Sequence, residues 1–296
     1  MQFNYIEQLN RHQIAQIDAL QQNCRQVDSN IIPIYRHLLQ KPRPFPSNVL
    51  CYKDNTLIGF LRAFFFQEQT AELAIMVEPK YRKQGIATKM LETIIPLLQQ
   101  QDVQNLTVSV PYAAHNTWLT ALGFKKGKTQ YVMQYDVTRP LTSAKNIANI
   151  RVATNADLSA LCTIHQSGFP KENANMYDYF ASLLHDPDYV IFVIENNWIL
   201  LGKAHIRFEA QSACLADLAV LNEQRGQGYG TALIKHSIYY SILRNHTCIF
   251  LDIEEDNKRA FKLYSQLGFY ITNKHDYWSI PINFAEFNLT HFLKTI

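Results

Sequence analysis

The feature that most constrains the fold of this chain is a repeat of about half its length. The segment Leu57–Thr88 aligns without a gap to Leu200–Thr231, which lies 143 residues later, and 8 of the 32 positions are identical. A Leu-Gly-Phe triplet that ends at Phe124 recurs with its end at Phe269, at an offset of 145 residues. Self-similarity at a nearly fixed offset is the sequence signature of a duplicated structural unit. The repeat therefore predicts two copies of one fold.

A polar segment separates the two copies. Residues 139–149 contain Pro140 and have the composition of a linker. This junction predicts an N-terminal domain at 1–138 and a C-terminal domain at 150–296. Each has the length of an average domain and can bury a full core.

Composition excludes several classes of protein. With 47% hydrophobic and 18% charged residues, the chain is typical of a folded soluble protein and not of a disordered one. The net charge is only +3, and no apolar run approaches the roughly 18–20 residues of a membrane span, so neither a nucleic-acid nor a membrane partner is predicted. The five cysteines lie far apart and form no metal-ligand pattern, which indicates reduced thiols, a cytoplasmic location and no metal site.

Hydrophobic patterns predict the same order of elements in both copies. A hairpin and a third strand precede a glycine-bearing loop, and a helix, another strand and a late strand follow. In the second copy the hairpin turn is predicted at Asn196-Asn197, and a helix from about Asn257 ends at Gly268, a typical C-cap. This order indicates an α/β class in which each copy has a mixed, largely antiparallel sheet flanked by helices.

Each copy places small residues between a strand and a helix. The two loops are Arg82–Ala87 and Arg225–Gly230. Glycines let the backbone approach a ligand, and free N–H groups at a helix start attract an anion such as a pyrophosphate. We expect Arg82, Lys83 and Arg225 to add side-chain charge. A plain strand-to-helix turn is the alternative, but two copies in matched contexts favour anion binding. Neither spacing fits a P-loop or a dinucleotide fingerprint.

These loops belong to a larger pattern in the second copy. The motif Arg-x-x-Gly-x-Gly follows an apolar strand, and Asn257, Ala260, Tyr264 and Leu-Gly-Phe come later. The combination resembles the GCN5-related N-acetyltransferase (GNAT) superfamily, and the resemblance covers most of both copies, as in a tandem form. It implies acetyl-CoA as co-substrate, no metal, and a primary amine of a small molecule or peptide as acceptor.

The resemblance also implies which residues contact the cofactor. In the second copy they are Leu218, Ala219, Val220, Arg225, Gly226, Gln227, Gly228, Tyr229, Gly230, Thr231 and Asn257. In the first copy they are Val77, Arg82, Lys83, Gln84, Gly85, Ile86 and Ala87.

Four residues of the second copy are candidates for proton transfer. The resemblance implies that Tyr264 protonates the leaving thiolate, although Tyr264 could also be a packing residue. An amine must lose a proton to attack a thioester, and a carboxylate can accept it. Asp217 is the first choice for this base, although it could instead bond to backbone near the loop. Glu254 is a second choice, together with Asp252 on the same face of the next strand.

The first copy departs from this set. The matched residues, counted along the repeat or back from each Gly-Phe pair, are Leu119 for Tyr264, Tyr112 for Asn257 and Ala74 for Asp217. Glu72 lies on the equivalent strand, where we expect a surface side chain. The sequence thus predicts direct transfer in a ternary complex, mainly in the C-terminal domain. The alternative is a CoA- or acyl-CoA-binding regulatory module without turnover.

Overall fold

The computed structural model describes residues 1–41, 43–112, 117–121, 123–139, 148–170, 176–209 and 211–283. Most of the predicted linker and the repeated Leu122 lie outside the described residues. The strands are β1 (Gln2–Ile6), β2 (Asn48–Lys53), β3 (Thr56–Gln67), β4 (Thr70–Val77), β5 (Asn105–Pro111), β6 (Lys125–Tyr135), β7 (Asn149–Val152), β8 (Tyr189–Asn196), β9 (Ile199–Glu209), β10 (Ser212–Val220), β11 (Cys248–Glu254) and β12 (Phe269–Pro281). The helices are α1 (Arg11–Asp28), α2 (Arg36–Leu39), α3 (Ile86–Gln100), α4 (Thr117–Ala121), α5 (Leu158–Gly168), α6 (Met176–His185), α7 (Tyr229–Leu243) and α8 (Lys258–Leu267).

The chain divides into two compact units, and the boundaries fall inside strands. Unit 1 comprises Met1–Tyr131 and the chain from Asn273 onward, and unit 2 comprises Val132–Thr272. The last strand, β12, begins directly after Gly268 and runs over Phe269–Pro281, and its later part pairs antiparallel with β5. No glycine interrupts these 13 residues, so the chain stays extended instead of turning back.

Unit 1 is a sheet with a core on both faces. Its strand order is β1-β2-β3-β4-β5-β12-β6, and β4 with β5 is a parallel pair. One face packs under α3, with Met90 and Ile94 fully buried there. The other face packs under α1, with Ile17 and Phe60 fully buried. Met90 and Ile94 lie four residues apart on α3, which is the spacing of the apolar stripe of an amphipathic helix.

Unit 2 has the corresponding order β11-β10-β9-β8-β7. Its hairpin turn has positive φ at Asn197 and Trp198, one residue later than the Asn196-Asn197 turn predicted from the sequence. A capping box formed by Thr154 and Asp157 begins the short 3-10 turn that leads into α5. Within the part of the chain described here, no helix combines the length and apolar character required to cross a bilayer.

Both units contain a parallel pair that separates after four residues. In unit 1, Thr70–Leu73 pair with Asn105–Val108, and in unit 2, Ser212–Leu215 pair with Cys248–Leu251. Beyond these ladders β4 and β10 are paired on one side only, with β3 and β9, so the other backbone edge is open to a ligand that adds as an extended strand.

The two units differ by one residue just after the ladder. In unit 1, β4 pairs with β3 without interruption over this stretch. In unit 2, the register of β10 against β9 shifts between Ala216 and Ala219, and Asp217 takes a φ of 49°. The ladder therefore matches Ala74 to Ala216, and Asp217 lies in a bulge that β4 lacks. The sequence-based match of Asp217 to Ala74 was wrong.

Candidate active site

A cavity of about 470 Å³ lies in unit 1 where β4 and β5 separate. Strand residues Ile75–Val77 and Val108–Pro111 line it, together with residues from the end of α1 and the start of α3. Its walls are mainly apolar, with a smaller share of polar surface. A mostly apolar cleft with a few polar groups is typical of a small-molecule site.

Backbone amides at the start of α3 lie at one end of the cavity. Gly85, Ile86, Ala87 and Thr88 line it there, and the first N–H groups of a helix have no partner within the helix. Gly85 has a φ of 76°, and a Cβ built there would meet no atom within 4 Å. Glycine is therefore required by the backbone conformation and not by crowding.

The loop arginines have a role in the fold. Arg82 Nε donates to the Val77 carbonyl at 3.0 Å, and its two terminal nitrogens donate to the Asp28 carboxylate at 2.8 Å each. Arg225 Nε donates in the same way to the Val220 carbonyl at 3.2 Å. These side chains tie the loop to the end of the preceding strand. Arg82 and Lys83 also line the cavity, and the predicted contacts of Arg82 and Arg225 with a pyrophosphate stay predictions. Lys83 is exposed and has no such tie in the described part of the chain.

A lining residue of the cavity, Ser109, connects it to a buried carboxylate. Glu72 is 9% exposed, so the expectation of a surface side chain was wrong. Ser109, which lines the cavity, donates from Oγ to Glu72 Oε1 at 2.9 Å, and Tyr35 OH lies 3.0 Å from the same oxygen. Burial raises the pKa of Glu72, and these two hydrogen bonds act in the opposite direction.

The hydrogen bonds continue beyond Glu72. Tyr35 OH lies 3.1 Å from Tyr277 OH, which donates to Gln130 Oε1 at 2.9 Å. His275 Nε2 lies 3.1 Å from the same Gln130 oxygen, and burial lowers the pKa of His275 to about 4. Tyr35 has a φ of 44°, a conformation that costs a non-glycine residue about 1–3 kcal/mol and is concentrated at functional sites. The site is thus a neutral polar network around one carboxylate.

A comparison with known protein families identifies the family to which the chain belongs. The model of the Acetyltransferase (GNAT) family matches the chain twice, at residues 14–124 and 158–269. The chain belongs to the GNAT acetyltransferase family. The two matches correspond to the two copies of the repeat, and no curated protein sequence matches the chain.

Solved structures support a tandem GNAT fold. A GCN5-related N-acetyltransferase from Sphaerobacter thermophilus matches with a TM-score of 0.77 at 14% identity, covering 94% of this chain and 95% of that one. A tandem GNAT protein from the clavulanic acid biosynthesis pathway matches with a TM-score of 0.71 at 14% identity, covering 95% and 98%. A GNAT-family acetyltransferase from Colwellia psychrerythraea covers 95% and 100%, with a TM-score of 0.58 at 17% identity. At these identities the likeness shows the fold alone.

The second GNAT unit has no carboxylate at the position of Glu72. The third pair of each parallel ladder contains Glu72 in unit 1 and Cys214 in unit 2. Burial raises the pKa of the Cys214 thiol to about 12, so this side chain remains neutral. Glu254 is exposed on β11 and alternates with buried Ile253, on the same face as Asp252, as the sequence predicted.

The remaining sequence candidates of unit 2 lie on α8 and in the bulge. Tyr264 is half-buried, and burial raises its pKa to about 12, so the hydroxyl is protonated at neutral pH. Asn257 caps α8, because its Oδ1 accepts from the Ala260 N–H at 3.2 Å. Asp217 Oδ2 lies 3.3 Å from His205 Nδ1.

Sequence reasoning did not find several polar residues of these sites. Tyr35, Ser109 and Tyr277 around Glu72 carry no motif, and Tyr277 comes from the far end of the chain. In unit 2, Lys203 and His205 alternate along β9, which indicates one face of the strand. A lysine and a histidine in an otherwise apolar predicted strand were the available signal. The described residues contain no group of three or more His, Cys, Asp or Glu side chains suited to a metal.

Proposed function

We propose that this GNAT protein transfers an acyl group, in the first instance acetyl, from acyl-CoA to a primary amine, and that unit 1 performs this transfer. The observation that carries the proposal is the 470 Å³ cavity, which is lined by the helix-start residues Gly85–Thr88 and by Ser109, the residue that donates a hydrogen bond to buried Glu72. The sequence favoured the C-terminal domain for this chemistry. The cavity and the carboxylate favour unit 1 as the first candidate.

The fold of unit 1 suits the long CoA molecule. The open edge of β4 beyond the ladder offers backbone groups to an extended arm, and the amides of Gly85–Thr88 suit a pyrophosphate. Exposed Lys83 beside these amides adds positive charge. In unit 2, Leu218–Val220 and Arg225–Thr231 would hold a second CoA in the corresponding way.

Acyl-CoA supplies an acyl group activated as a thioester. Glu72 would accept the proton that the attacking amine must lose, and its raised pKa makes it a stronger base than an exposed glutamate. Ser109 and Tyr35 hold the carboxylate in one orientation through three hydrogen bonds. A raised pKa in a cleft is a feature of functional sites.

A small-molecule or peptide amine is the proposed acceptor class. The network around Glu72 is neutral apart from this one carboxylate, which favours an amine that carries hydrogen-bonding groups. All five cysteines are free, which supports action in a reducing compartment such as the cytoplasm.

Unit 2 is the second candidate for amine transfer. Its protonated Tyr264 could act as the acid for the leaving thiolate, with Asp217 or Glu254 as the base. A CoA-binding regulatory module is the alternative to both candidates.

Calorimetric titration with acetyl-CoA and a thiol-release assay on a panel of amines test the proposal. We expect turnover that Glu72→Gln abolishes and Tyr264→Phe leaves in place. If Tyr264→Phe abolished turnover and Glu72→Gln left it in place, the acyl transfer would be assigned to unit 2. Binding of acetyl-CoA without thiol release on any amine would support the regulatory module instead.

A further inference from the structure

A fully buried lysine lies behind the bulge of unit 2. Lys203 on β9 has 0% exposure, and its Nζ donates to the Asp217 carbonyl at 3.1 Å. Buried lysines are rare unless they are paired or functional, since removing an ammonium group from water is costly. The bulge belongs to the stretch of β10 beyond the ladder, on which an acyl-CoA arm would pair.

Lys203 is the first member of a line of three polar groups. Its Nζ lies 3.3 Å from His205 Nε2, and His205 Nδ1 lies 3.3 Å from Asp217 Oδ2. Burial, the Lys203 charge and His165 lower the pKa of His205 well below its ordinary value, so the ring is neutral. A carboxylate at Nδ1 favours a proton on that nitrogen and leaves Nε2 as an acceptor toward Nζ. An amine, a base and a group that orients the base are the parts of an activated nucleophile.

Aromatic rings and the end of α5 cover Lys203 on the side away from the open edge of β10. The Nζ lies 5.0 Å from the ring centre of Phe180 and 5.8 Å from that of Phe169. A Cβ added to Gly168 would lie 2.8 Å from the Ala219 Cβ, so the end of α5 already packs tightly on β10. An acceptor amine from solution would have to displace this packing, whereas the amine of Lys203 is already inside.

The duplicated unit provides a comparison for this arrangement. By strand register, Phe60 in unit 1 takes the place of Lys203, because Phe60 pairs with Met76 as Lys203 pairs with Ala219. Unit 1 therefore has a buried carboxylate and no amine on this face. Unit 2 has a buried amine and, at the place of Glu72, a neutral cysteine.

We propose that Lys203 is a self-acylation site of this protein, with acyl-CoA bound along β10 as the donor. The inference rests on the proposed binding of acyl-CoA to unit 2. Lys203 Nζ first gives its ammonium proton to His205 Nε2. The free amine then forms a C–N bond with the carbonyl carbon of the thioester, and the C–S bond breaks. A second proton passes from Nζ to the leaving sulfur, and His205 releases its proton to solvent. The products are an amide on Lys203 and free CoA thiol.

Mass mapping of the native full chain after incubation with isotope-labelled acetyl-CoA tests the proposal without any added amine. Exposed Lys258 on α8 serves as the internal control, because uncatalysed acylation favours accessible amines. We expect label on Lys203 at up to one acetyl group per chain and faster than on Lys258. Lys203→Arg should abolish this label, and His205→Gln should slow it about a hundredfold, as loss of a general base does.

The outcomes separate this inference from the proposed amine transfer. Absence of label on Lys203 in the native wild-type chain overturns the inference, whether or not free amines are acetylated. Label on Lys203 in a chain that acetylates no amine supports it and removes the amine transfer proposed for unit 1. Label that is equal on Lys203 and Lys258, or unchanged in His205→Gln with an unchanged melting temperature, also overturns it.

Discussion

Replacing Glu72 with glutamine tests the proposed base in unit 1 with little change in packing. Glutamine has nearly the volume of glutamate, and its amide oxygen can still accept from Ser109 Oγ and Tyr35 OH, which both donate to Glu72 Oε1. It cannot take a proton from an amine at neutral pH. Loss of a general base lowers turnover about 10²–10⁴-fold, which corresponds to about 3–5 kcal/mol of transition-state free energy. We expect this loss in kcat, with acetyl-CoA affinity within about twofold of wild type because Glu72 is not among the residues that line the cavity with the helix-start amides.

The pH dependence of turnover and of stability provides a second, independent test with the same variant. Burial raises the pKa of Glu72, so the acid limb of the wild-type rate should lie above the ordinary glutamate value of about 4.3 and be missing in Glu72→Gln. A raised pKa in the folded state contributes stability at low pH that is lost as pH rises through that pKa. Glu72→Gln should therefore be at least as stable as wild type at neutral pH.

The assay is thiol release with saturating acetyl-CoA, measured across pH, beside calorimetric titration and thermal melting. Glu92→Gln is the matched control, because Glu92 is a half-exposed residue of α3 that pairs with Lys89 at 2.8 Å. Wild-type turnover in Glu72→Gln would refute the assignment of the base. A fall in acetyl-CoA affinity with unchanged kcat would instead make Glu72 part of the donor site.

Three further changes test other parts of the structure. Tyr264→Phe should leave amine turnover in unit 1 within about twofold, since no acid–base group of that unit is touched, as thiol release would show. Asp28→Asn removes half of its bidentate pair with Arg82, loosens the loop and should lower stability by about 1 kcal/mol and weaken acetyl-CoA binding, as melting and calorimetry would show. Asp157→Asn should destabilise the chain by about 1–2 kcal/mol at neutral pH, because the Arg151 hydrogen bonds lower the pKa of Asp157. That contribution is present above the ordinary aspartate pKa of about 3.9 and disappears as pH falls through the lowered value, which denaturant unfolding at several pH values would detect.

Controls distinguish these effects from general charge removal. Asp18→Asn breaks a more exposed ion pair with Arg36, so its cost should be close to zero and its effect on acetyl-CoA binding absent. An equal loss of binding in Asp18→Asn and Asp28→Asn would contradict the role of the Arg82 tie. A stability difference for Asp157→Asn that persists unchanged in acid would contradict the linkage argument.

The sequence was sufficient to predict the fold class because the repeat and the glycine loops are visible in the order of the residues alone. The positions of Gly85 and Gly228, both with positive φ before a helix, follow from the spacing alone. The burial of Glu72 could not be predicted in this way. Its partners Tyr35 and Ser109, and Tyr277 beside Tyr35, come from three distant segments, and only the tertiary packing of unit 1 brings their hydroxyl groups together.

The error at Asp217 has a simple physical origin. Between the paired residues Phe64 and Glu72 the chain of unit 1 is one residue longer than between Arg207 and Cys214, and the bulge then adds one residue to unit 2. The two differences cancel, so an alignment without gaps continues correctly into the glycine loops. It nevertheless pairs the wrong residues between the turn and the bulge, where the site lies.

This local shift explains how one duplicated fold could acquire two different sites. Side chains alternate between the faces of a strand, so a one-residue shift exchanges the face on which every residue of the shifted stretch lies. Upstream of the bulge, the shift places Cys214 where unit 1 has Glu72, and the bulge itself presents the Asp217 carbonyl to Lys203. Two length changes thus alter the side chain at the Glu72 position and leave the glycine loop untouched, whereas the buried lysine comes from a substitution at the Phe60 position. In the proposed division of function, unit 1 acylates an external amine, whereas unit 2 acylates its own lysine.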